Sequence, residues 1–292
     1  MHQRSLSLLL ATLFLGACAA PLPTEREGST ESKIIGGKVD TADPAVVELI
    51  MQTGEDGGLC TATFISQTVL LTAAHCVVSE DDPTKIPANA EFQIMMAPSE
   101  SAAKDTDFIK VSRENVHFHP QYDGEAAHDV AIVVLDQPVN VTPIPIGRSP
   151  LTQADIGKRV RLVGYGASKR NATSNDGAST KRTVSTAIMS LQKDLVGIGS
   201  SNGQACNGDS GGPALLEIDG VETLIATDDI AATQVNCAGG DLYQRTDLHL
   251  DFIDQYLGAA TSGANDPSLG DPSQSSGSDD GSGDGGDDDG SF

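Results

Sequence analysis

The chain has 292 residues, which is enough for one large all-β domain, or two lobes that share a face, together with terminal tails. Its 41 acidic and 18 basic residues give a formal net charge of −23, so nucleic acids and anionic membrane surfaces are poor partners. From Gly258 onward the chain has eight Asp and no Lys or Arg, so part of this charge belongs to a tail.

The first 18 residues have the layout of a secretory signal. Arg4 precedes an apolar run over residues 6–15, which is too short to span a bilayer. Residues 15–18 read Leu-Gly-Ala-Cys and resemble a bacterial lipobox, which would make Cys18 the lipid-modified first residue. Ordinary cleavage is the alternative, since Ala-Cys-Ala at residues 17–19 also fits a signal-cleavage site. Both interpretations predict export, either to the bacterial cell envelope as a lipoprotein or to the extracellular space.

Residues 19–33 are polar and interrupted by Pro, which predicts a propeptide or linker. Between residues 34 and 258, short β-rich runs alternate with Gly, Pro, Asn and Asp, and we predict strands at residues 46–51, 63–71, 130–135, 160–163 and 223–226. This spacing favours an antiparallel sandwich or barrel over alternating βα units. A short helix is predicted at about residues 248–257, followed by a disordered acidic tail of Gly, Ser and Asp over residues 259–292.

The five Cys are an odd number for an exported protein. Cys18 is either lipid-modified or removed with the signal, so four Cys remain for two disulfides in an oxidising compartment: Cys60, Cys76, Cys206 and Cys237. Arithmetic alone allows three pairings.

The strongest chemical signal is the stretch Cys-Asn-Gly-Asp-Ser-Gly-Gly-Pro at residues 206–213. A nucleophilic Ser needs a base for its proton and nearby donors for the oxyanion that forms on attack. Flanking Gly residues permit unusual backbone angles, which allow several N–H groups to point at one place. An eight-residue match is too specific for an ordinary turn, so Ser210 is the candidate nucleophile.

Two further residues supply the partners that such a Ser needs. His75 ends the stretch Leu-Thr-Ala-Ala-His beside Cys76, upstream of the Ser motif, which makes it the candidate general base. Asp129 enters a strand so apolar that its carboxylate should be buried, and a buried carboxylate requires a partner.

Together with Ile-Ile-Gly-Gly at residues 34–37, these stretches stand in the order found in trypsin/chymotrypsin-like serine proteases, which the chain resembles over residues 34–257. The resemblance implies two six-stranded antiparallel β-barrels with the active site between them. It implies a catalytic triad of His75, Asp129 and Ser210, and an oxyanion hole made by the N–H groups of Gly208 and Ser210.

The resemblance also implies a zymogen. Cleavage between Lys33 and Ile34 would free an α-ammonium group, which pairs with Asp209 and orders the site. The family pattern further implies two disulfides, Cys60–Cys76 and Cys206–Cys237.

Specificity departs from the family pattern. Trypsins place an Asp six residues before the nucleophile, where this chain has Gln204, so simple tryptic specificity is in doubt. Asp241 falls near a Gly of the pocket wall in the family, and it either supplies the missing carboxylate or is a surface-loop Asp. Thr227 and Asp229, with Asp228 between them, are predicted to form the strand that pairs with the substrate and lines the specificity pocket.

We therefore expect a monomeric serine endopeptidase that acts on proteins or peptides and is activated by another protease or by itself. The pair His117 and His119 could suggest metal ligands, but the segment resembles a routine part of the family, so no metal or cofactor is expected. The alternative is a catalytically silent protease homologue that acts as a surface binding protein. The usual mark of such a homologue, a replaced triad residue, is absent from this sequence.

Overall fold

The computed structural model describes residues 34, 36–79, 81–167, 179–200, 202–231 and 239–263. The predicted signal peptide and propeptide, with Cys18 and Lys33, lie outside the described residues, as do Cys237 and residues 264–292 of the predicted tail. The domain boundaries at these places stay predictions.

The described residues form fourteen β-strands, five 3₁₀ helices and one α-helix. The strands are β1 Lys38–Val39, β2 Val46–Thr53, β3 Asp56–Phe64, β4 Val69–Thr72, β5 Glu91–Met95, β6 Phe108–Val111, β7 Val116–Phe118, β8 Ala131–Val134, β9 Arg159–Gly164, β10 Arg182–Leu191, β11 Leu195–Ile198, β12 Pro213–Ile218, β13 Val221–Ala231 and β14 Asp241–Arg245. The 3₁₀ helices are Glu100–Ala102, Asp105–Asp107, Arg113–Asn115, Gln153–Asp155 and Thr246–Leu248, and the α-helix is α1 Leu250–Gly263.

The first lobe is a seven-stranded antiparallel sheet in the order β6-β5-β2-β3-β4-β8-β7. Were the sheet flat, its two edge strands would lie roughly 29 Å apart, at about 4.8 Å per strand. The chain that joins them, from Val111 to Val116, can reach only about 17 Å. The sheet must therefore curl until its edges approach, and apolar side chains such as Leu49, Phe64 and Ile94 fill the interior.

The second lobe closes completely. Strands β9, β10, β11, β14, β13 and β12 pair in that circular order, and β1 adds a short seventh strand along β10. The predicted fold class, an all-β fold of two barrel-like lobes with a C-terminal helix, is confirmed. The strand count is corrected, because only the second lobe is a closed six-stranded barrel. In the first lobe the edge strands β6 and β7 form no ladder with each other among the described residues.

A third apolar cluster joins the lobes. It contains residues of β4 and β8 from the first lobe, Val163 and Leu215 from the second, and Phe252 and Ile253 of α1. The helix thus packs where the lobes meet, and it begins and ends later than predicted, at Leu250 and Gly263. Among the described ranges, no helix is both long and apolar enough to cross a membrane.

The predicted strand at residues 63–71 is two strands, β3 and β4, joined by a turn at residues 65–68. The Ser66 hydroxyl oxygen accepts hydrogen bonds from the backbone N–H groups of Thr68 and Val69, at 3.2 and 2.9 Å. A polar side chain that bonds its own backbone in this way replaces ladder pairing, which the apolar composition of the run does not reveal.

Glu48 on β2 is buried, at 1% exposure, and its Oε1 has no hydrogen-bond partner. Burial raises the pKa of Glu48 to about 7, although a hydrogen bond with Ser179 opposes the shift. Because this pKa exceeds that of the unfolded chain, the folded protein retains a proton that the unfolded chain releases. The contribution of Glu48 to the free energy of unfolding is therefore fully present at low pH, and it is lost as the pH rises from about 4 through 7.

We expect Glu48→Gln to remove this fall, because the amide carries no proton to lose. The variant should match the parent near pH 4 and exceed its unfolding free energy by up to about 3 kcal/mol at pH 8. Urea unfolding across this pH range measures the difference, with exposed Glu91→Gln on neighbouring β5 as the control. An equal pH dependence in parent and Glu48→Gln would contradict the assignment.

Candidate active site

His75 and Asp129 form a hydrogen-bonded couple at the edge of the first lobe. Asp129 Oδ2 lies 2.6 Å from His75 Nδ1, and Asp129 Oδ1 accepts the backbone N–H of His75 at 2.7 Å. The carboxylate is 1% exposed, whereas one third of the His75 side chain is open to solvent. Because Nδ1 faces an acceptor, it carries the hydrogen, and the lone pair of the neutral ring is on Nε2.

The two groups stabilise each other's charged form. Burial alone would lower the pKa of His75, but the Asp129 carboxylate outweighs it and raises the pKa above the ordinary value. Burial alone would raise the pKa of Asp129, but His75 and several hydrogen bonds hold it below the ordinary value. An imidazole in this setting accepts a proton more readily than an exposed one.

Ser210 lies in the tight loop before β12, which depends on its glycines. Gly208 and Gly211 have φ angles of +94° and +78°, a region that disfavours side chains. A Cβ on Gly211 would lie 2.1 Å from the hydroxyl oxygen of Thr72. The N–H groups of Asp209, Gly211 and Gly212 donate to backbone carbonyls, whereas those of Gly208 and Ser210 have no backbone acceptor among the described residues.

Thr61 on β3 holds this loop against the first lobe. Its N–H donates to the Ser210 carbonyl at 2.8 Å, and its hydroxyl donates to the Gly208 carbonyl at 3.0 Å. Cys60, the preceding residue, forms a disulfide with Cys76, whose Sγ lies 3.7 Å from the Ser210 carbonyl oxygen. The Ser loop and the segment that carries the catalytic His candidate are thereby fixed to one strand.

Cys206, at the start of the Ser loop, is also disulfide-bonded. Its predicted partner Cys237 lies outside the described residues.

Asp229 lies against the catalytic couple. Its carboxyl oxygen, one of Asp129 and a ring nitrogen of His75 all fall within 4.8 Å of one another. Burial and then the charge of Asp129 raise the pKa of Asp229 to about 10, so Asp229 is protonated at neutral pH. A protonated carboxyl can donate to the ionised one, and this bond lowers the pKa of Asp129.

The predicted activation pair is buried on both sides. Ile34 is 1% exposed. Two residues later, the backbone of Gly36 lies against that of Asn202, because a Cβ on Gly36 would lie only 2.1 Å from the Asn202 carbonyl oxygen. The Asp209 carboxylate accepts the N–H groups of Gly166 and Cys206, at 2.8 and 2.9 Å. Burial still raises the pKa of Asp209 to about 7.

Gln204 and Asp241 lie buried in the second barrel. Gln204 is fully buried, and its Oε1 accepts the N–H groups of Gly239 and Gly240, at 3.0 and 2.9 Å. Its Nε2 has no partner. Asp241 begins β14 and is 4% exposed, so it is not a surface-loop residue.

Asp228 and Asp241 bring two carboxyls into this region. Within the described ranges, Asp228 Oδ1 and Asp241 Oδ2 are buried without a hydrogen-bond partner, as is the hydroxyl of Thr227. Burial raises the pKa of Asp241 to about 7, and Asp209 adds to the shift. Burial and the nearby Asp241 raise the pKa of Asp228 well above its ordinary range. Of the residues predicted to line the specificity pocket, Asp229 lies beside Asp129, whereas Asp228 lies near Asp241.

Gln244 on β14 is a site residue that the sequence reasoning missed. It is fully buried, its Oε1 accepts the backbone N–H of Asp129 at 3.2 Å, and its Nε2 donates to the Asp194 carbonyl at 3.0 Å. Gln244 therefore connects the second barrel to the backbone of the first-lobe Asp. A single Gln in a short strand of mixed polarity gives no sequence signal of such a contact.

Comparison with known proteins agrees with this geometry. The family model described as Trypsin matches residues 34–245. The chain belongs to the trypsin family. This membership covers both lobes and every residue of the candidate triad.

Several relatives of the trypsin-family domain come from insects. The chain is 25% identical to phenoloxidase-activating factor 3 of Holotrichia diomphalia, over 81% of this chain and 76% of that protein. It is 27% identical to the serine protease Hayan of Drosophila melanogaster and 25% identical to melanization protease 1 of the same species. These two matches cover 67% and 63% of this chain but only 34% and 54% of those proteins.

A solved structure supports the fold. A mutant of human heparin binding protein (CAP37) superposes with a TM-score of 0.62 at 20% identity, over 77% of this chain and 97% of that one. At this identity the likeness shows the trypsin fold and nothing about activity.

Removal of the hydrogen bond from Asp229 to Asp129 should weaken the His75–Asp129 pair. We expect Asp229→Ala to lower kcat/KM about 10- to 100-fold, the usual value of one hydrogen bond to a charged group. Loss of the bond makes Asp129 more basic, so the acid limb of the pH–rate profile should move to higher pH. Asp229→Asn keeps a donor and serves as the matched variant. If the parent, Asp229→Ala and Asp229→Asn have the same acid limb in their pH–rate profiles, the hydrogen bond from Asp229 to Asp129 is contradicted.

Proposed function

We propose that the chain is a serine endopeptidase that works through an acyl-enzyme. The observation that supports this most directly is the His75–Asp129 couple, which leaves the Nε2 lone pair of His75 for Ser210. Family membership also supports it, as do the N–H groups of Gly208 and Ser210, which have no backbone acceptor in the part of the chain that the structure describes.

In this proposal Ser210 Oγ attacks the substrate carbonyl carbon while His75 Nε2 takes the hydroxyl proton. The new C–O bond converts the carbonyl to an oxyanion, which the N–H groups of Gly208 and Ser210 stabilise. Each such donor is worth roughly 10²–10³ in rate. The C–N bond then breaks as His75 returns the proton to the leaving amine, and water repeats the sequence on the ester.

We further propose that the protein is made as a zymogen and cut after Lys33. The new Ile34 ammonium would pair with Asp209, a fully buried carboxylate with only backbone donors among the described residues. An ion pair would offset the burial that raises the pKa of Asp209.

For the substrate, we propose a basic residue before the cleaved bond. Gln204 cannot supply charge, but Asp241 and Asp228 hold unpartnered carboxylate oxygens in the same barrel. A Lys or Arg side chain would give these oxygens the cation that the described residues lack.

Export and lipid attachment are proposed from the sequence alone. If Cys18 is lipid-modified, as in a bacterial lipoprotein, cleavage after Lys33 would activate the enzyme and release it from the membrane together. Mass spectrometry of the membrane-bound precursor checks the modification, and Ile34-started protein that stays in the membrane fraction would contradict release.

Protein trimmed to begin at Ile34 should hydrolyse a panel of fluorogenic peptides, and Ser210→Ala should not. Activity should fall as the pH rises beyond about 8, because the Ile34 ammonium group loses its proton. The untrimmed precursor, assayed in parallel, should be inactive. Absence of turnover by correctly trimmed protein on every peptide would favour the catalytically silent homologue.

Asp241→Asn should lower kcat/KM for peptides with Lys or Arg before the cut by roughly 100-fold, the usual effect of removing one partner of a buried charge pair. Peptides with an apolar residue there should change by less than about threefold. Asp219→Asn, in the exposed turn between β12 and β13, is the control. An equal effect of Asp241→Asn on both peptide classes would remove Asp241 from the pocket.

A further inference from the structure

Three histidines that the proposed reaction does not use meet beside the catalytic couple. His119 follows β7, His128 immediately precedes Asp129, and His249 lies between the last 3₁₀ helix and α1. They are far apart in sequence, and the fold brings one ring nitrogen from each to within 4.8 Å of the others.

The three rings contact one another. His128 Nδ1 and His249 Nε2 are 3.1 Å apart, close to the separation of two nitrogens that bind one tetrahedral ion at about 2.0–2.1 Å. The rings of His119 and His128 stack with centroids 4.6 Å apart, and His249 meets both edge-on at 5.3 Å.

Hydrogen bonds already orient His249. Its Nδ1 donates to the Arg245 carbonyl oxygen at 2.9 Å, which leaves the Nε2 lone pair pointing at His128. A carbonyl behind a ring nitrogen is a common second contact of a metal-binding His. A His binds a metal ion through the lone pair of its neutral ring.

We propose that His119, His128 and His249 form a binding site for one divalent transition-metal ion of the Zn²⁺ class. Imidazole ligands favour Zn²⁺, Cu²⁺ and Ni²⁺ over Ca²⁺ and Mg²⁺, which prefer oxygen. Three His ligands leave a fourth tetrahedral position for water. His119 Nδ1 accepts the N–H of Gln121 at 3.2 Å, in a solvent-exposed hydrogen bond. If His119 binds the ion through Nε2, its hydrogen moves to Nδ1, and this one hydrogen bond is lost.

The ion would join three segments of the chain: the end of β7, the start of α1 and the residue next to Asp129. His128 has a φ of +61°, which is uncommon for a residue with a side chain, and one peptide bond separates it from the catalytic Asp candidate. An ion on the His128 ring therefore acts on the backbone that sets the position of Asp129.

The test is binding of Zn²⁺ to full-length protein purified without a His tag. Titration against a chromophoric chelator gives stoichiometry and affinity, and Co²⁺ substitution gives the absorption of a tetrahedral nitrogen site. His119→Gln and His128→Asn are the informative variants, since Asn tolerates the left-handed backbone of residue 128. His117→Gln is the matched control, because His117 stacks on Tyr256 outside the trio.

A second arm separates this site from the active centre, where His75, Asp129 and Asp229 also approach one another. We expect one Zn²⁺ per chain, with affinity reduced at least tenfold in His119→Gln and His128→Asn but retained in His117→Gln and in His75→Ala. The melting temperature should rise with Zn²⁺ only in proteins that keep the trio. Loss of binding in His75→Ala alone, or weak binding that no variant changes, would overturn the proposal.

Discussion

The active centre depends on the contacts of Thr61. This residue lies on a first-lobe strand, yet its N–H and hydroxyl both bond carbonyls of the Ser210 loop, and its hydroxyl oxygen also accepts the N–H of Tyr165. The Cys60–Cys76 disulfide joins the same strand to the residue after His75. The candidate nucleophile Ser210 and the candidate base His75 come from different lobes, and in a serine protease small errors in their relative geometry reduce the rate strongly. Thr61 and the Cys60–Cys76 disulfide thus hold the Ser210 loop and the His75 segment against the same strand, β3.

The buried Asp129 is held by hydrogen bonds from both lobes. Asp129 receives the ring and backbone N–H of His75, and its own N–H donates to Gln244 of the second barrel. Asp229, also from the second barrel, adds a protonated carboxyl. An unpaired carboxylate at this depth would be neutralised by proton uptake. The second barrel therefore adds to the stabilisation that His75 gives to the Asp129 charge.

The His75–Asp129 pair and the Ser210 loop could be proposed from sequence because each of these residues lies in a local motif with a chemical reason. The all-β fold class could be predicted from the short apolar runs. The curl of the first sheet could not, because it depends on how its edge strands β6 and β7 approach each other. Residues 227–229 were predicted as one strand that lines the specificity pocket, but the β-bulge between Asp228 and Ile230, which changes where these side chains point, has no signal in the sequence. Gln244 and the His119–His128–His249 trio are made by contacts between distant segments, which no local pattern encodes.

The buried carboxylates of the second barrel would link the proposed cleavage after Lys33 to the proposed recognition of basic residues. Asp209 helps to keep Asp241 protonated, because each negative charge disfavours the other. An ammonium group that neutralised Asp209 would lower the pKa of Asp241 and increase its ionised fraction at neutral pH. The same event that orders the loop would then switch on the affinity of the barrel for cations. By thermodynamic reciprocity, a basic ligand held by Asp241 would stabilise the inserted terminus by an equal free energy.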